Sequence, residues 1–155
     1  MSTRFTTKIT STTKSHNNIS DTVIAILGAG IGSRIKSHEP RSLIKIGNKT
    51  LLEHQLCTLR ECFETPEIIA VVGCKAEKVI KKIRGNVRIV ENQIHETTNT
   101  SESIRLAFNN SLKGNFLFIH GDLYFNTSTL KNVDYSKSFV IVDNKKMIHD
   151  KEVEN

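Results

Sequence analysis

Apolar residues occur along this chain in short, wholly hydrophobic runs separated by stretches of helical spacing. The runs VIAIL at 23–27, IIAVV at 68–72 and FLFI at 116–119 are β-branched or aromatic and carry no polar alternation. That pattern marks strands covered on both faces rather than on one. VRIV at 87–90 reads as a further strand, and FVIVD at Phe139–Asp143 as a fifth. Leu51, Leu52, Leu56 and Leu59 recur at helical spacing behind Thr50, a capping residue, so a helix is expected to about Cys62, with Pro66 beyond it. Ala76, Val79, Ile80 and Ile83 mark a basic amphipathic helix over Lys75–Ile83, stopped by Arg84-Gly85. Ile104, Leu106, Ala107, Phe108 and Leu112 mark another over Ser101–Leu112, and Asn126–Asn132 a short one. Leu43–Ile46 is a short extended run closed by the turn pair Gly47-Asn48.

Strands alternating with helices predict a doubly wound α/β fold with a mostly parallel sheet. Ligands of such sheets bind at the carboxyl ends of strands, where the strand order reverses. The first strand ends in Gly28-Ala29-Gly30-Ile31-Gly32-Ser33-Arg34. Three glycines in five residues let the backbone turn sharply and leave main-chain N–H groups open to a phosphate chain. Arg34 and Arg41 are planar forks able to hold phosphate oxygens in pairs. A P-loop is excluded, because no Gly-Lys-Ser/Thr follows. A dinucleotide fingerprint fits at Gly28 and Gly30 but meets Ser33 and Arg34 where a small residue should pack. Its acidic ribose ligand is also missing, since the nearest candidate, Glu53, lies in the helical stretch LLEHQL.

Three blocks, LGAGIGSR at 27–34, PRSL at 40–43 and GNKTLLE at 47–53, stand in order along the chain. Together they resemble the signature of the nucleotidyltransferase family, the sugar-phosphate nucleotidylyltransferases and small-alcohol-phosphate cytidylyltransferases. The similarity runs from about Val23 to about Asp143. It implies a Rossmann-like fold, related to the glycosyltransferase-A type, and transfer of NMP from an NTP to a phosphorylated acceptor with release of pyrophosphate. It further implies that Leu27, Gly28, Ala29, Gly30, Gly32 and Ser33 cradle the nucleotide, with Arg34 on the leaving pyrophosphate. Arg41 stands where the family has lysine, with Lys45 four residues on, and would serve the α-phosphate. Asp122, in the family's Gly-Asp context after a strand, would ligate Mg²⁺. The loop and helix start at Asn99–Ser103, with Ser103 as the small residue, would face the base. The same Thr/Asn/Ser cluster also suits plain helix capping.

The family domain runs beyond a fifth strand, and its later half supplies the acceptor pocket and a second carboxylate. Lys145–Asn155 shows no further strand pattern, and Asp143 and Asp150 match no motif. The nucleotide half is therefore expected in residues 21–155, with completion by a second copy or another subunit left open. Two rivals remain at this stage, a non-catalytic nucleotide-binding module and a dinucleotide-dependent oxidoreductase.

Composition changes the picture at the N-terminus. Residues 1–20 are Ser/Thr-rich, contain no acid and have no apolar core of a signal sequence, so a disordered tail is expected. Of the 22 basic residues Arg4, Lys8 and Lys14 lie there, leaving 19 against 16 acids, so half of the net +6 belongs to this stretch. No basic patch interleaved with aromatics suggests nucleic acid, and no apolar run is long enough for a membrane span. Cys57, Cys62 and Cys74 are odd in number and lack C-x-x-C spacing, which suits reduced thiols and a cytoplasmic setting. The six histidines show no ligand spacing and read as structural or surface residues.

Overall fold

The structure, a computed structural model, describes residues 21–30 and 39–142. The expected tail at 1–20, Gly32, Ser33, Arg34 and the late carboxylates Asp143 and Asp150 lie outside those residues. Among the described residues six strands and four helices follow in order: β1 Thr22–Leu27, β2 Lys45–Ile46, β3 Lys49–Thr50, α1 Leu51–Cys62, β4 Glu67–Val72, α2 Ala76–Ile80, β5 Arg88–Glu91, α3 Thr100–Asn109, β6 Asn115–His120 and α4 Thr127–Lys131. The main sheet has the order β5-β4-β1-β6, and every pairing in it is parallel. β2 and β3 form a small antiparallel hairpin around Gly47, whose φ of 62° is the left-handed conformation that glycine adopts without strain.

β1 is an inner strand, which explains its unbroken apolar run. Ile24 and Ile26 face one side with Leu52, Leu56 and Leu59 of α1, Val79 of α2 and Leu130 of α4. Val23, Ala25 and Leu27 face the other with Ala107 of α3, flanked by Ile104, Phe116 and Phe118. The chain moves outward from β1 to β4 and β5 through α1 and α2, then crosses by α3 to β6 on the opposite side of β1. The strand order therefore reverses between β1 and β6, and their carboxyl ends flank the crevice that such a reversal opens.

α1 starts in a reciprocal cap. Glu53 N–H donates to Thr50 Oγ1 at 3.2 Å, and Thr50 N–H donates to Glu53 Oε2 at 2.8 Å. The Thr50 backbone and hydroxyl donors hold the Glu53 carboxyl below the ordinary carboxylate range. A carboxylate whose folded-state value is lowered contributes stability above its unfolded value and loses it as pH falls through the folded one. Thr50→Ala is expected to lower unfolding free energy by about 1 kcal/mol at neutral pH. Denaturant titrations across pH should show that deficit narrowing below the ordinary Glu value of 4.5. A deficit independent of pH would remove the carboxylate from the cap.

Three expectations need correction. α2 ends at Ile80, not Ile83, because Lys82 N–H and Ile83 N–H bond three residues back, to Val79 and Ile80, and tighten the chain into turns. Ile80 is accordingly exposed rather than inward. α3 ends at Asn109, where the Asn110 side chain caps the Leu106 carbonyl and leaves Leu112 outside the helix. Phe139–Val142 is not a strand. Four apolar residues gain nothing from extension without a ladder partner, and Val140 remains 85% exposed.

Candidate functional site

At the carboxyl ends of β1 and β6 lies a cleft of about 520 Å³. One wall is the start of the glycine loop, Leu27 to Gly30. It is held on one side by Gly28 N–H donating to the Val71 carbonyl at 2.8 Å, and on the other by Gly121 N–H donating to the Leu27 carbonyl at 2.9 Å. The β1–β6 ladder thus continues past the last strand residues into the two loops. The approach is close: a Cβ on Gly121 would stand 2.9 Å from Gly28 Cα.

The charged part of the cleft is formed by two residues 81 positions apart. Arg41 Nη1 donates to Asp122 Oδ2 at 2.8 Å, with about a third of each side chain exposed. Arg41 opens a single 3₁₀ turn, Arg41–Leu43, directly after the buried Pro40. Ahead of it Glu39 is gripped by Lys78 at 2.6 Å and Lys75 at 3.0 Å, which together hold its carboxyl below the usual range. Asp122 is placed by Gln55 of α1, which is buried at 1% exposure. Its Nε2 donates to the carbonyls of His120 at 2.9 Å and Leu123 at 2.7 Å, spanning the Gly121-Asp122 step. Two apolar neighbours cannot fix a turn in this way, which accounts for a buried amide inside an otherwise apolar helix face.

The opposite wall carries no net charge. It is built by Asn92, His95 and Thr98 after β5, and by Asn99, Thr100 and Ser103 at the start of α3. Asn92 is 2% exposed; its Nδ2 donates to Thr98 Oγ1 and its Oδ1 accepts from Ile94 N–H. Asn99 Oδ1 accepts from Ser101 N–H, so this residue both caps α3 and faces the cleft.

Of the expected site residues, the structure brings Leu27, Gly28, Ala29, Gly30, Arg41, Ser103 and Asp122 around one cleft. Lys45 does not line it and sits on the exposed β2–β3 hairpin. Asn92, His95, Thr98 and His120 do line it and carried no motif of their own. For the histidines, the reading as merely structural or surface residues misses two positions on the cleft wall. The one signal toward them is that polar residues directly follow the runs VRIV and FLFI. The acid of a dinucleotide site is absent at the end of β4, where Val72 is followed by Gly73, and Glu53 belongs to the α1 cap.

A parallel sheet of this order, with the start of a glycine loop, an arginine and a carboxylate at its reversal point, is an α/β architecture that takes its ligands at that crevice. Residues 24–133 match the MobA-like NTP transferase domain, and the chain belongs to that family. The bifunctional protein GlmU of Methanococcus vannielii is 32% identical over 116 residues, covering 73% of this chain and 27% of that protein. GlmU of Solibacter usitatus is 32% identical over 112 residues, covering 71% and 24%. CTP:phosphocholine cytidylyltransferase from Streptococcus pneumoniae superposes with a TM-score of 0.57 at 27% identity, over 69% of this chain and half of that one. The inositol-1-phosphate CTP transferase of T. maritima shares the fold, with a TM-score of 0.54 at 23% identity. The chain spans about a quarter of the length of these GlmU relatives.

Proposed function

We propose that this chain carries the nucleotide-handling site of a nucleotidyltransferase, which moves NMP from an NTP to a phosphorylated acceptor. The acceptor is of the sugar 1-phosphate or alcohol-phosphate class. One of its phosphate oxygens forms a bond to the α-phosphorus, the bond from that phosphorus to the bridging oxygen breaks, and pyrophosphate leaves with the electron pair. Little proton chemistry is required, so the protein's work is positioning and charge stabilisation. The observation that carries the reading is the meeting of the Gly28–Gly30 backbone, Arg41 and Asp122 at one strand-order reversal.

Main-chain amides of Ala29 and Gly30 would donate to phosphate oxygens, continued by Gly32 and Ser33, while Gly28 N–H stays on the Val71 carbonyl and shapes the bend. Arg41 would turn from Asp122 toward the α-phosphate, and Arg34 would meet the pyrophosphate. Among the described residues no cluster of three or more His, Cys, Asp or Glu side chains could hold a metal, and Asp122 is the one carboxylate on the cleft wall. A single hard oxygen donor fits Mg²⁺, which keeps one or two carboxylates and takes its other ligands from phosphates and water. Asp122 would hold it, and bound magnesium supplies neutralisation of phosphate charge. Among the described residues no helix is long and apolar enough to cross a membrane, which is compatible with a cytoplasmic enzyme acting on small molecules.

Thermal unfolding with each of the four NTPs, NAD and FAD, with and without Mg²⁺, tests this reading. A ligand at a hundred times its Kd stabilises by about 2.7 kcal/mol, so an NTP with Mg²⁺ should raise Tm by several degrees. NAD and FAD should leave it unchanged. A shift with NAD and none with any NTP would overturn the proposal. Pyrophosphate release on adding sugar 1-phosphates or phosphocholine then reads the transfer itself.

A further inference from the structure

We infer that His95 reads the nucleobase, accepting an N–H from its edge through Nε2 and thereby setting which NTP the cleft prefers. The inference rests on the nucleotide reading of the cleft. Charge divides that cleft in two: Arg41 and Asp122 occupy one side, while the lining residues between Asn92 and Ser103 are polar and include no Asp, Glu, Lys or Arg. Phosphates belong with the first, so the nucleoside falls to the second.

On that second wall most hydrogen-bonding groups of the 92–99 loop are already engaged. Asn92 and Thr98 bond to each other, Thr98 Oγ1 also donates to the Ile94 carbonyl at 2.8 Å, and Asn99 Oδ1 caps α3. His95 differs. Its Nδ1 lies 3.1 Å from the Asn92 carbonyl. A carbonyl can only accept, so Nδ1 carries the hydrogen, and in the uncharged form of the ring Nε2 is then a pure acceptor. Nε2 has no partner among the described residues.

The ring's placement is fixed from below. A Cβ on Gly73 would stand 2.8 Å from both His95 Cβ and the Ala29 carbonyl, so His95 sits against the end of β4 beside the glycine loop. Its backbone N–H also donates to the Asn92 carbonyl, at 3.3 Å. A held ring with one free acceptor can discriminate among bases, whose edges present N–H groups at different places. Ribose hydroxyls are the other donors a nucleotide offers.

The test compares wild type, His95→Phe and His95→Gln by calorimetric titration with ATP, CTP, GTP, UTP and inorganic tripolyphosphate, all with Mg²⁺. Wild type should bind one NTP better than the others, and all NTPs better than tripolyphosphate. His95→Phe, which keeps a flat ring without an acceptor, should weaken the preferred NTP about three- to tenfold, the value of one neutral hydrogen bond. It should flatten the ranking among bases and leave tripolyphosphate unchanged. His95→Gln, whose Oε1 accepts, should restore part of the preference. An unchanged NTP ranking in His95→Phe overturns the base assignment while the nucleotide reading stands. An equal loss on all four NTPs assigns the ring to ribose and overturns it as well. If both variants also lose tripolyphosphate, His95 is structural and the inference fails. Wild type that binds tripolyphosphate but no NTP more tightly, or binds neither, defeats the nucleotide reading itself.

Discussion

Asp122→Asn should abolish Mg²⁺-dependent nucleotide binding and pyrophosphate release while the fold stays intact. The side chain is over a third exposed, and it pairs with Arg41 at 2.8 Å. A pair that exposed contributes at most about 1 kcal/mol to stability. Its functional weight is different in kind. Asparagine keeps the shape and one oxygen but removes the charge that a magnesium–triphosphate complex would meet, and it releases Arg41 from its partner. The expected readout is a Tm within a few degrees of wild type, the Mg²⁺-dependent part of the NTP shift gone, and no detectable pyrophosphate. An NTP shift that still grows with Mg²⁺ in Asp122→Asn would strip the residue of its metal role. A large loss of Tm would instead make the Arg41–Asp122 pair a structural tie.

Gly121→Ala should strain the fold where β1 and β6 come closest. The new Cβ would meet Gly28 Cα at 2.9 Å and the Leu27 carbonyl at 3.1 Å. Both obstacles are main chain of an inner strand, so no side chain can rotate away. Relief requires β1 and β6 to part where Gly121 N–H now bonds Leu27. Overpacking of this kind costs about 1–3 kcal/mol, a fall of several degrees in Tm for a chain of this size. The same displacement separates the glycine loop from Asp122, so the NTP shift should fall with it. Gly114→Ala is the control, since nothing lies within 4 Å of its added methyl and its φ is not in the left-handed region. Equal denaturation midpoints for the two variants would mean that the β1–β6 approach is not tight in solution.

The two inner strands of the main sheet, β1 and β4, were legible because burial on both faces leaves a local mark. VIAIL and IIAVV contain no polar residue, and both lie wholly within the core. The start of α1 was legible for a related reason, as its cap is complete within Thr50–Glu53. Helix ends were less so. Ile83 and Leu112 extend the apolar spacing of α2 and α3, but tight turns and the Asn110 cap stop each helix first. Phe139–Val142 shows the converse error, a strand-like composition with no neighbour to pair with among the described residues.

The site divides along the same line. Gly28–Gly30 could be read directly, because glycines after a strand have few other uses. Arg41 and Asp122 gained meaning from their blocks, though their contact spans 81 residues. His95 and Asn92 had no such company. Their place on the cleft wall depends on β5 lying beside β4, so that Asn92 N–H reaches the Val72 carbonyl at 2.7 Å. Nothing within ENQIHETT encodes that adjacency.

The bond from Gly121 to Leu27 has one more consequence. It ties Gly28, at the start of the glycine loop, to the aspartate turn as one unit, clamped from behind by Gln55 and from the side by Val71. The facing wall follows β5, which among the described residues is an edge strand, as β6 is on the other border. With Gly28 and Asp122 tied in this way, any adjustment of the cleft to a ligand's bulk would fall to the 92–99 side.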